Sequence, residues 1–232
     1  MIIIKNDKEI DLMRIAGRIV AETLLLVEKE VKPGITTAEL DRIAEEFITK
    51  HGAKPSFKGL YGFPASLCIS VNEQVVHGIP GGYVLKEGDI ISVDCGANIN
   101  GFHGDAARTF AVGNISEEAK RLIKVTEESF FKGLEFAKVG NKLTDISHEI
   151  QRYVEVSGFS VVREFVGHGI GKSVHEDPEV PNFGRPGRGP KLVAGMALAI
   201  EPMVNMGTYR VATLGDDWTV VSADKSLSAH YE

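Results

Sequence analysis

Apolar residues recur every three to four positions in four segments of the chain, which is the spacing of amphipathic helices. The first segment follows Asn6, which has Glu9 three residues later in a capping-box pattern, and it should end before Pro33. The second segment begins at Thr36 and ends at Gly52, because glycine favours the C-terminal end of a helix. These two segments predict a pair of helices in the N-terminal part of the chain.

The remaining two segments repeat this arrangement further along the chain. The third helix is predicted to begin at Ser116 and to end near Gly140, and the fourth to run from Thr144 to Gly158. Strand-like runs follow each helix pair, and the predicted strands are 66–72, 89–97, 101–112, 160–166, 196–205 and 218–222. The order of a helix pair and then strands therefore occurs twice, which indicates an internal duplication.

Helices and strands are segregated within each repeat, so an α+β fold fits the sequence better than alternating βαβ units. We expect one catalytic domain, residues 1–232, made of two pseudo-symmetric halves of antiparallel sheet covered by helices. The halves should divide at about 1–113 and 114–232.

Composition narrows the classes of function. A chain of 232 residues with 43% hydrophobic residues can bury a core without disulfides, so Cys68 and Cys95 are expected to be reduced thiols. The net charge of -6 argues against a broad nucleic-acid-binding face. No apolar run approaches the roughly 18 residues of a membrane span, and the N-terminus turns charged at Lys5, unlike a signal peptide. We expect a cytoplasmic protein with no membrane partner.

Two predicted strands flank Asn100-Gly101, which is a strong signal for a β-hairpin. If these two residues form the loop, Asp105 lies diagonal to Asp94; if the loop is Ile99-Asn100, the two aspartates face each other. Both registers put the carboxylates on one face, roughly 4.5–8 Å apart. Like charges so close repel unless one is protonated or a cation bridges them. The hairpin alone leaves a metal site and two solvent-facing aspartates as alternatives.

Three further residues could complete a metal site. His168 stands among glycines after an apolar strand, where a ligand can approach the backbone, although a buried histidine bonded to backbone is the commoner case. Glu201 ends an apolar strand and must be paired, protonated or metal-bound if buried. Nothing local separates Glu232 from an ordinary terminal glutamate. Together with the two aspartates, this set of four carboxylates and one imidazole would balance two divalent cations such as manganese, iron, cobalt or zinc.

The identity of the ligating histidine stays open from the residues alone. His103 and His230 share strand parity with Asp105 and Glu232, so either ring could also approach the metals. His175, which precedes an acidic pair, could be a surface residue or a proton donor.

Five motifs in a fixed order resemble those of the methionine aminopeptidases. They are Ser70-Val-Asn-Glu-Gln-Val-Val-His77-Gly-Ile-Pro80, Ser92-Val-Asp94-Cys-Gly96, Gly104-Asp105-Ala-Ala-Arg108-Thr109, Gly167-His168-Gly-Ile-Gly171 with His175-Glu-Asp-Pro178, and Ile200-Glu201-Pro202-Met203. Each motif is modestly specific, whereas five in this order over essentially the whole chain are highly specific. The short stretch from His175 to Glu201 is similar to the type I, bacterial-like class. The resemblance implies the pita-bread fold of creatinases and aminopeptidases.

The resemblance also implies a ligand set for two divalent ions. Asp94 would chelate one metal, Asp105 and Glu232 would bridge both, and His168 and Glu201 would complete the second. In that family a His-Thr pair and a final strand follow the last ligand, whereas this sequence reads to Glu232. A ligand at a chain end is prone to fray, which would weaken metal binding.

The same resemblance assigns the reaction. A water bridging the metals would attack the carbonyl after the first residue, and Glu201 would accept its proton. His175 would hydrogen-bond the developing oxyanion, and His77 would contact the substrate backbone. An apolar pocket for the methionine side chain should be lined by Phe57, Leu60, Phe63, Cys68, Val174 and Trp218.

The expected substrates and partners are nascent polypeptides with an N-terminal methionine and, transiently, the ribosome, and the chain should be a monomer. One alternative is a proline dipeptidase of the same fold, for which we would expect an extra N-terminal domain. A second is a non-catalytic peptide- or RNA-binding relative, which would have lost metal ligands. A third is a storage or sensory metal protein, which would bind metal without turnover.

Overall fold

The computed structural model describes residues 1–232. The α-helices are α1 (Asp7–Glu30), α2 (Thr37–Lys50), α3 (Glu117–Leu134) and α4 (Leu143–Val156), and a 3-10 turn spans Leu60–Gly62. The strands are β1 (Lys54–Pro55), β2 (Leu67–Val71), β3 (Gln74–Val76), β4 (Ile90–Ile99), β5 (Phe102–Ala111), β6 (Ser160–Val161), β7 (Gly167–Gly169), β8 (Glu176–Val180), β9 (Leu198–Ala199), β10 (Met203–Asn205), β11 (Val211–Thr213), β12 (Val220–Ser222) and β13 (Ser228–His230). None of the helices combines the length and apolar character that crossing a membrane requires.

Side-chain caps begin three of the helices where the sequence predicted. Asn6 and Glu9 form a reciprocal capping box at α1, and the hydroxyls of Thr36 and Ser116 accept backbone N–H groups at the starts of α2 and α3. These three predicted starts are confirmed.

Two predicted helix boundaries were wrong. Helix α3 ends at Leu134, six residues before Gly140, and a turn fills the interval. Helix α4 begins at Leu143, because the N–H of Lys142 donates to the side chain of Asp145 at 2.8 Å. Thr144, the predicted start, lies inside the first turn of the helix.

The longest strands, β4 and β5, form a hairpin, and β4 is the central strand of a four-stranded antiparallel sheet. Strand β5 pairs along one edge of β4, and β1 and β2 share the other edge. The hairpin loop is Asn100-Gly101, and both residues have positive φ, 52° and 81°, as a tight hairpin turn requires. Ile99 therefore pairs with Phe102, which decides between the two registers in favour of diagonal aspartates.

Three smaller antiparallel sheets complete the fold, in the strand orders β13-β10-β6, β11-β12-β3 and β8-β7-β9. The antiparallel α+β class is confirmed. The predicted strands in this part were too long: 160–166 reduces to β6, and 196–205 divides into β9 and β10. The division falls at Glu201-Pro202, where proline has no N–H to donate to a ladder.

The largest core, of 18 buried residues, fills the space between helices α1 and α2 and the β4 sheet. Two smaller cores lie beneath α3 and α4. The end of the chain crosses back onto β5: the N–H of Glu232 donates to the carbonyl of Ala107 at 2.9 Å, and the Thr109 hydroxyl donates to the carbonyl of His230 at 2.8 Å. This contact brings the last residues of the chain to the central hairpin.

Candidate active site

The central hairpin presents two carboxylates on one face. Asp105 pairs with Gly96 across the ladder and Asp94 pairs with Ala107, so the aspartates are diagonal neighbours. Glu232 joins them, and one ligand atom from each of these three carboxylates lies within 4.8 Å of the others. Residues far apart in the chain therefore bring three acidic groups to one point.

A histidine and a fourth carboxylate lie beside this cluster. His168 Nε2, on β7, is 3.4 Å from Glu201 Oε1 and 4.0 Å from Asp105 Oδ2. His168 Nδ1 lies 2.9 Å from the carbonyl oxygen of Gly169, to which it can donate its proton. In that tautomer Nε2 keeps its lone pair for the acidic cluster, as a metal-binding histidine requires.

Burial sets the protonation of these groups. Burial raises the pKa of Asp94 to about 7, and burial together with charged neighbours raises the pKa of Asp105, Glu201 and Glu232 well above the ordinary range. Burial lowers the pKa of His168 to about 4, so its imidazole is neutral near pH 7. A cluster of buried carboxylates with a neutral imidazole favours a bound cation over an empty interior.

Two buried oxygens, Asp94 Oδ1 and Asp105 Oδ1, have no hydrogen-bond partner. An unpartnered buried polar atom is costly and is normally satisfied by protein, water or an ion. The donor set of four carboxylates and one imidazole is hard and oxygen-rich, which suits divalent manganese, iron, cobalt or zinc. The residues present therefore fit a divalent metal centre.

The other two candidate histidines are placed differently. The ring nitrogens of His103 lie 2.8 Å from the Ser56 hydroxyl and 2.7 Å from the Asn98 amide nitrogen, so both are engaged away from the carboxylates. His230 is 1% exposed, and its Nε2 lies 3.8 Å from Glu201 Oε2 without a hydrogen bond. Only His168 lies within 4.0 Å of two of the carboxylates.

The acidic cluster opens onto a cavity of about 680 Å³. Five of the six residues predicted for an apolar pocket line it: Phe57, Leu60, Phe63, Cys68 and Trp218. Val174 does not line the cavity; it is 3% exposed and packs in the apolar cluster behind these residues. The sequence does not distinguish a residue that lines a pocket from one that packs behind its wall.

Sequence reasoning missed several residues of the cavity wall: Tyr61, Val76, Phe165 and Met203. Tyr61 has a φ of 51°, and its ring stacks parallel to that of His175 with centroids 6.0 Å apart. Left-handed backbone at a tyrosine leaves no signal in the sequence. Met203 could have been found, since it follows Glu201 by two residues in an apolar strand.

Phe57 reaches the cavity because a glycine faces it from the neighbouring strand. A Cβ on Gly96 would lie 2.7 Å from the Ser56 Cβ and 2.9 Å from the Phe57 ring. The absence of a side chain at Gly96 therefore allows the Ser56-Phe57 segment to pack against β4.

The two remaining predicted histidines also border the cavity. His77 has a φ of 59° and packs edge-on against Phe165, and burial together with the nearby His175 lowers the pKa of His77 to about 4. The His175 ring lies between the rings of Tyr61 and His168, and the centroids of the two imidazole rings are 4.5 Å apart. Both imidazoles thus line the same cavity as the carboxylate cluster.

Known proteins are similar to this chain in sequence and in fold. Residues 11–224 match metallopeptidase family M24. The methionine aminopeptidase of Clostridium perfringens is 77% identical over 232 residues, which is 100% of this chain and 93% of that protein. The crystal structure of methionine aminopeptidase from Thermotoga maritima has a TM-score of 0.98 and 48% identity, covering 100% of this chain and 93% of the other.

A more distant likeness extends to prolidases. Prolidase from Pyrococcus furiosus has a TM-score of 0.79 at 22% identity, and the match covers 98% of this chain and 61% of that one. This likeness concerns the fold alone. The structural neighbours together confirm the predicted pita-bread architecture.

Proposed function

The chain belongs to metallopeptidase family M24, and from this premise we propose that it is a metallo-exopeptidase that hydrolyses the N-terminal methionine from polypeptides. The observation that carries the proposal is the convergence of Asp94, Asp105, His168, Glu201 and Glu232 beside an apolar cavity. The high identity to methionine aminopeptidases over the whole chain supports the same substrate.

We assign the metal ligands from the family resemblance and from their closeness in the cluster. As the resemblance to methionine aminopeptidases implies, Asp94, Asp105, His168, Glu201 and Glu232 would together hold the divalent ions. Divalent cations bound here would supply Lewis acidity, which lowers the pKa of water and polarises a carbonyl.

The cavity wall binds and orients the substrate. Phe57, Phe63 and Trp218 form an apolar slot that suits an unbranched thioether side chain and excludes water from it. His77 and His175 border the space next to the carboxylates, where they can donate hydrogen bonds to the substrate backbone and to a developing oxyanion.

Glu201 is the residue we assign as proton acceptor. Without bound cations, burial followed by the charges of Asp94 and Asp105 raises the pKa of Glu201 well above the ordinary range. The role of Glu201 in accepting the proton of the attacking water is the one that the resemblance to methionine aminopeptidases implies. The neighbouring His230, which is buried and neutral because burial lowers its pKa to about 3, lies 3.8 Å from Glu201 Oε2.

The alternative functions are less well supported. The likeness to prolidase carries the fold only, at 22% identity and over 61% of that chain. A non-catalytic relative or a metal-storage protein would not need the neutral imidazoles of His168 and His175 beside an apolar slot.

We also propose the substrates, the compartment, the oligomeric state and the domain organisation. The substrates are nascent polypeptides, which places the protein in the cytoplasm with the ribosome as a transient partner, and the chain acts as a monomer. Residues 1–232 form one catalytic domain whose halves, about 1–113 and 114–232, contribute ligands from both sides.

The test is methionine release from Met-Gly-Met-Met by protein stripped of metal and reloaded with Mn²⁺. We expect release with Mn²⁺, none in chelator, and none from Asp105→Asn, which keeps the shape of the side chain. Cleavage of X-Pro dipeptides instead would support the prolidase alternative. No cleavage of either substrate by metal-loaded protein would contradict the proposed function.

A further inference from the structure

A lysine near the N-terminus is buried against the active-site turn. The Lys5 side chain is 3% exposed, and its ammonium donates to Glu176 Oε2 at 2.6 Å and to the carbonyl of Ile3 at 3.0 Å. The backbone N–H of Lys5 donates to the carbonyl of Gly195 at 2.8 Å, which fixes the segment in place. A buried ammonium requires such a partner, because an unpaired buried charge costs several kcal/mol.

Glu176, the partner of Lys5, uses its other oxygen to hold a turn. Glu176 Oε1 accepts the backbone N–H groups of Lys172 at 2.8 Å and Ser173 at 3.2 Å, and the Glu176 side chain is 6% exposed. Although burial opposes it, hydrogen bonds from Lys5 and the turn lower the pKa of Glu176. The carboxylate thus links the N-terminal segment to the turn between β7 and β8.

The space for this ion pair exists because residue 171 is glycine. A Cβ on Gly171 would lie 2.6 Å from the Lys5 Cε and 2.7 Å from Glu176 Oε1. The N–H of His103 donates to the carbonyl of Gly171 at 2.8 Å, which secures the same turn to the central hairpin. Turn, lysine and glutamate therefore pack as one unit.

The turn held in this way ends in His175. The His175 ring stacks on Tyr61 and meets His168 edge-on with centroids 4.5 Å apart. Glu176 directly follows His175 in the chain, so a shift of the Glu176 carboxylate moves the backbone that carries the imidazole.

We propose that Lys5 is a positioning residue for this site: through Glu176 it fixes the turn of residues 171–175 and so holds the His175 ring beside the carboxylate cluster. The inference rests on the proposed function, in which His175 contacts the substrate. Lys5 itself touches neither the cavity nor the metal ligands.

The test compares Lys5→Met with the double variant Lys5→Met/Glu176→Met. The single variant leaves a buried carboxylate unpaired, whereas the double variant removes both charges and should recover stability. The matched control is Lys120→Met, which breaks an exposed ion pair with Glu117 on α3. Each protein is measured for amide hydrogen exchange at Lys172 and Ser173 without metal, for Mn²⁺ affinity by calorimetry, and for kcat and KM on Met-Gly-Met-Met.

We expect exchange at these two amides to quicken about tenfold or more in both variants. Their kcat should fall about 10- to 100-fold, as displacement of a group that contacts the reacting atoms does, while Mn²⁺ affinity stays within about threefold. The control should match the wild type. The decisive result is in the double variant, in which the melting temperature recovers and kcat does not.

Recovery of kcat together with stability in the double variant would overturn the inference, since Lys5 would then act only on folding. Unchanged exchange at Lys172 and Ser173 in both variants would also overturn it. If Lys5→Met does not fold, Lys5→Gln, which keeps an N–H donor for the Glu176 carboxylate, takes its place in the same measurements. A wild-type protein that releases no methionine would contradict the proposed function instead, and the exchange measurement would still decide whether Lys5 fixes the turn.

Discussion

Asp94 and Asp105 are diagonal neighbours across the β4–β5 ladder, because Asp105 pairs with Gly96 and Asp94 pairs with Ala107. This offset gives each carboxylate its own approach to a cation while keeping both on one face of the sheet. The same offset places Gly96 opposite Asp105, and Phe57 packs over Gly96 because this residue has no side chain.

Gly96→Ala should alter substrate binding and spare the metal site. The new methyl group would lie 2.9 Å from the Phe57 ring and would push it toward the cavity that Phe57 lines. We expect KM for Met-Gly-Met-Met to rise about tenfold, the equivalent of roughly 1.4 kcal/mol, with Mn²⁺ affinity unchanged. Gly17→Ala in helix α1, where nothing lies within 4 Å of the added carbon, is the control. An unchanged KM would show that Phe57 is not a wall of the binding pocket.

Asp105→Asn should stabilise the metal-free protein and abolish its response to metal. Burial, with the charges of Glu232 and Asp94, raises the pKa of Asp105 well above its ordinary range, so this carboxylate opposes folding near neutral pH unless a cation is bound. In urea at pH 7.5 the metal-free variant should be more stable by on the order of 1–3 kcal/mol, and Mn²⁺ should no longer raise its melting temperature. Asp11→Asn, at an exposed position, should behave as the wild type. A less stable metal-free variant would contradict this account of the cluster.

The pairing of Lys5 with Glu176 should appear in the pH dependence of stability. The pKa of Glu176 is lowered in the folded protein, so its contribution is complete above the unfolded value of 4.5 and is lost as the pH falls through the folded pKa. The difference in unfolding free energy between wild type and Glu176→Gln should therefore be constant from pH 7 to 5 and shrink below pH 4.5. Urea titrations at several pH values measure it. A difference that grows on acidification would refute the ion pair.

Thr109→Val should weaken metal binding without touching a ligand. The Thr109 hydroxyl accepts the N–H of His230 and donates to its carbonyl, both at 2.8 Å, and so fixes the strand that leads to Glu232. Loss of these bonds should cost about 1–3 kcal/mol of stability and lower Mn²⁺ affinity in calorimetry. Thr109→Ser keeps the hydroxyl and should retain most of the affinity. Equal affinities in the two variants would mean that Glu232 is placed by other contacts.

Features set by neighbouring residues could be read from the sequence. The caps at Asn6, Thr36 and Ser116 and the hairpin at Asn100-Gly101 are local, since each depends on side chains within a few positions. The predicted end of α3 and the predicted start of α4 were wrong. The turns next to these helices decide where they end and begin, and the apolar periodicity does not report those turns.

Features set by distant contacts could not be read in this way. From the residues alone, His103, His168 and His230 were equally possible metal ligands. Only the structure shows that both ring nitrogens of His103 contact Ser56 and Asn98. The ion pair between Lys5 and Glu176 joins residues 171 positions apart, and no local pattern marks it. The ligand set is predicted from the resemblance to methionine aminopeptidases, because the residues alone left it open.

The most direct measurement is anomalous X-ray diffraction from crystals of the protein soaked in Mn²⁺. We expect two manganese peaks, one contacted by Asp94, one by His168 and Glu201, with Asp105 and Glu232 between them. A map with no peak in this cluster, or with manganese bound only elsewhere on the protein, would contradict the claim that these five side chains form a dinuclear metal centre.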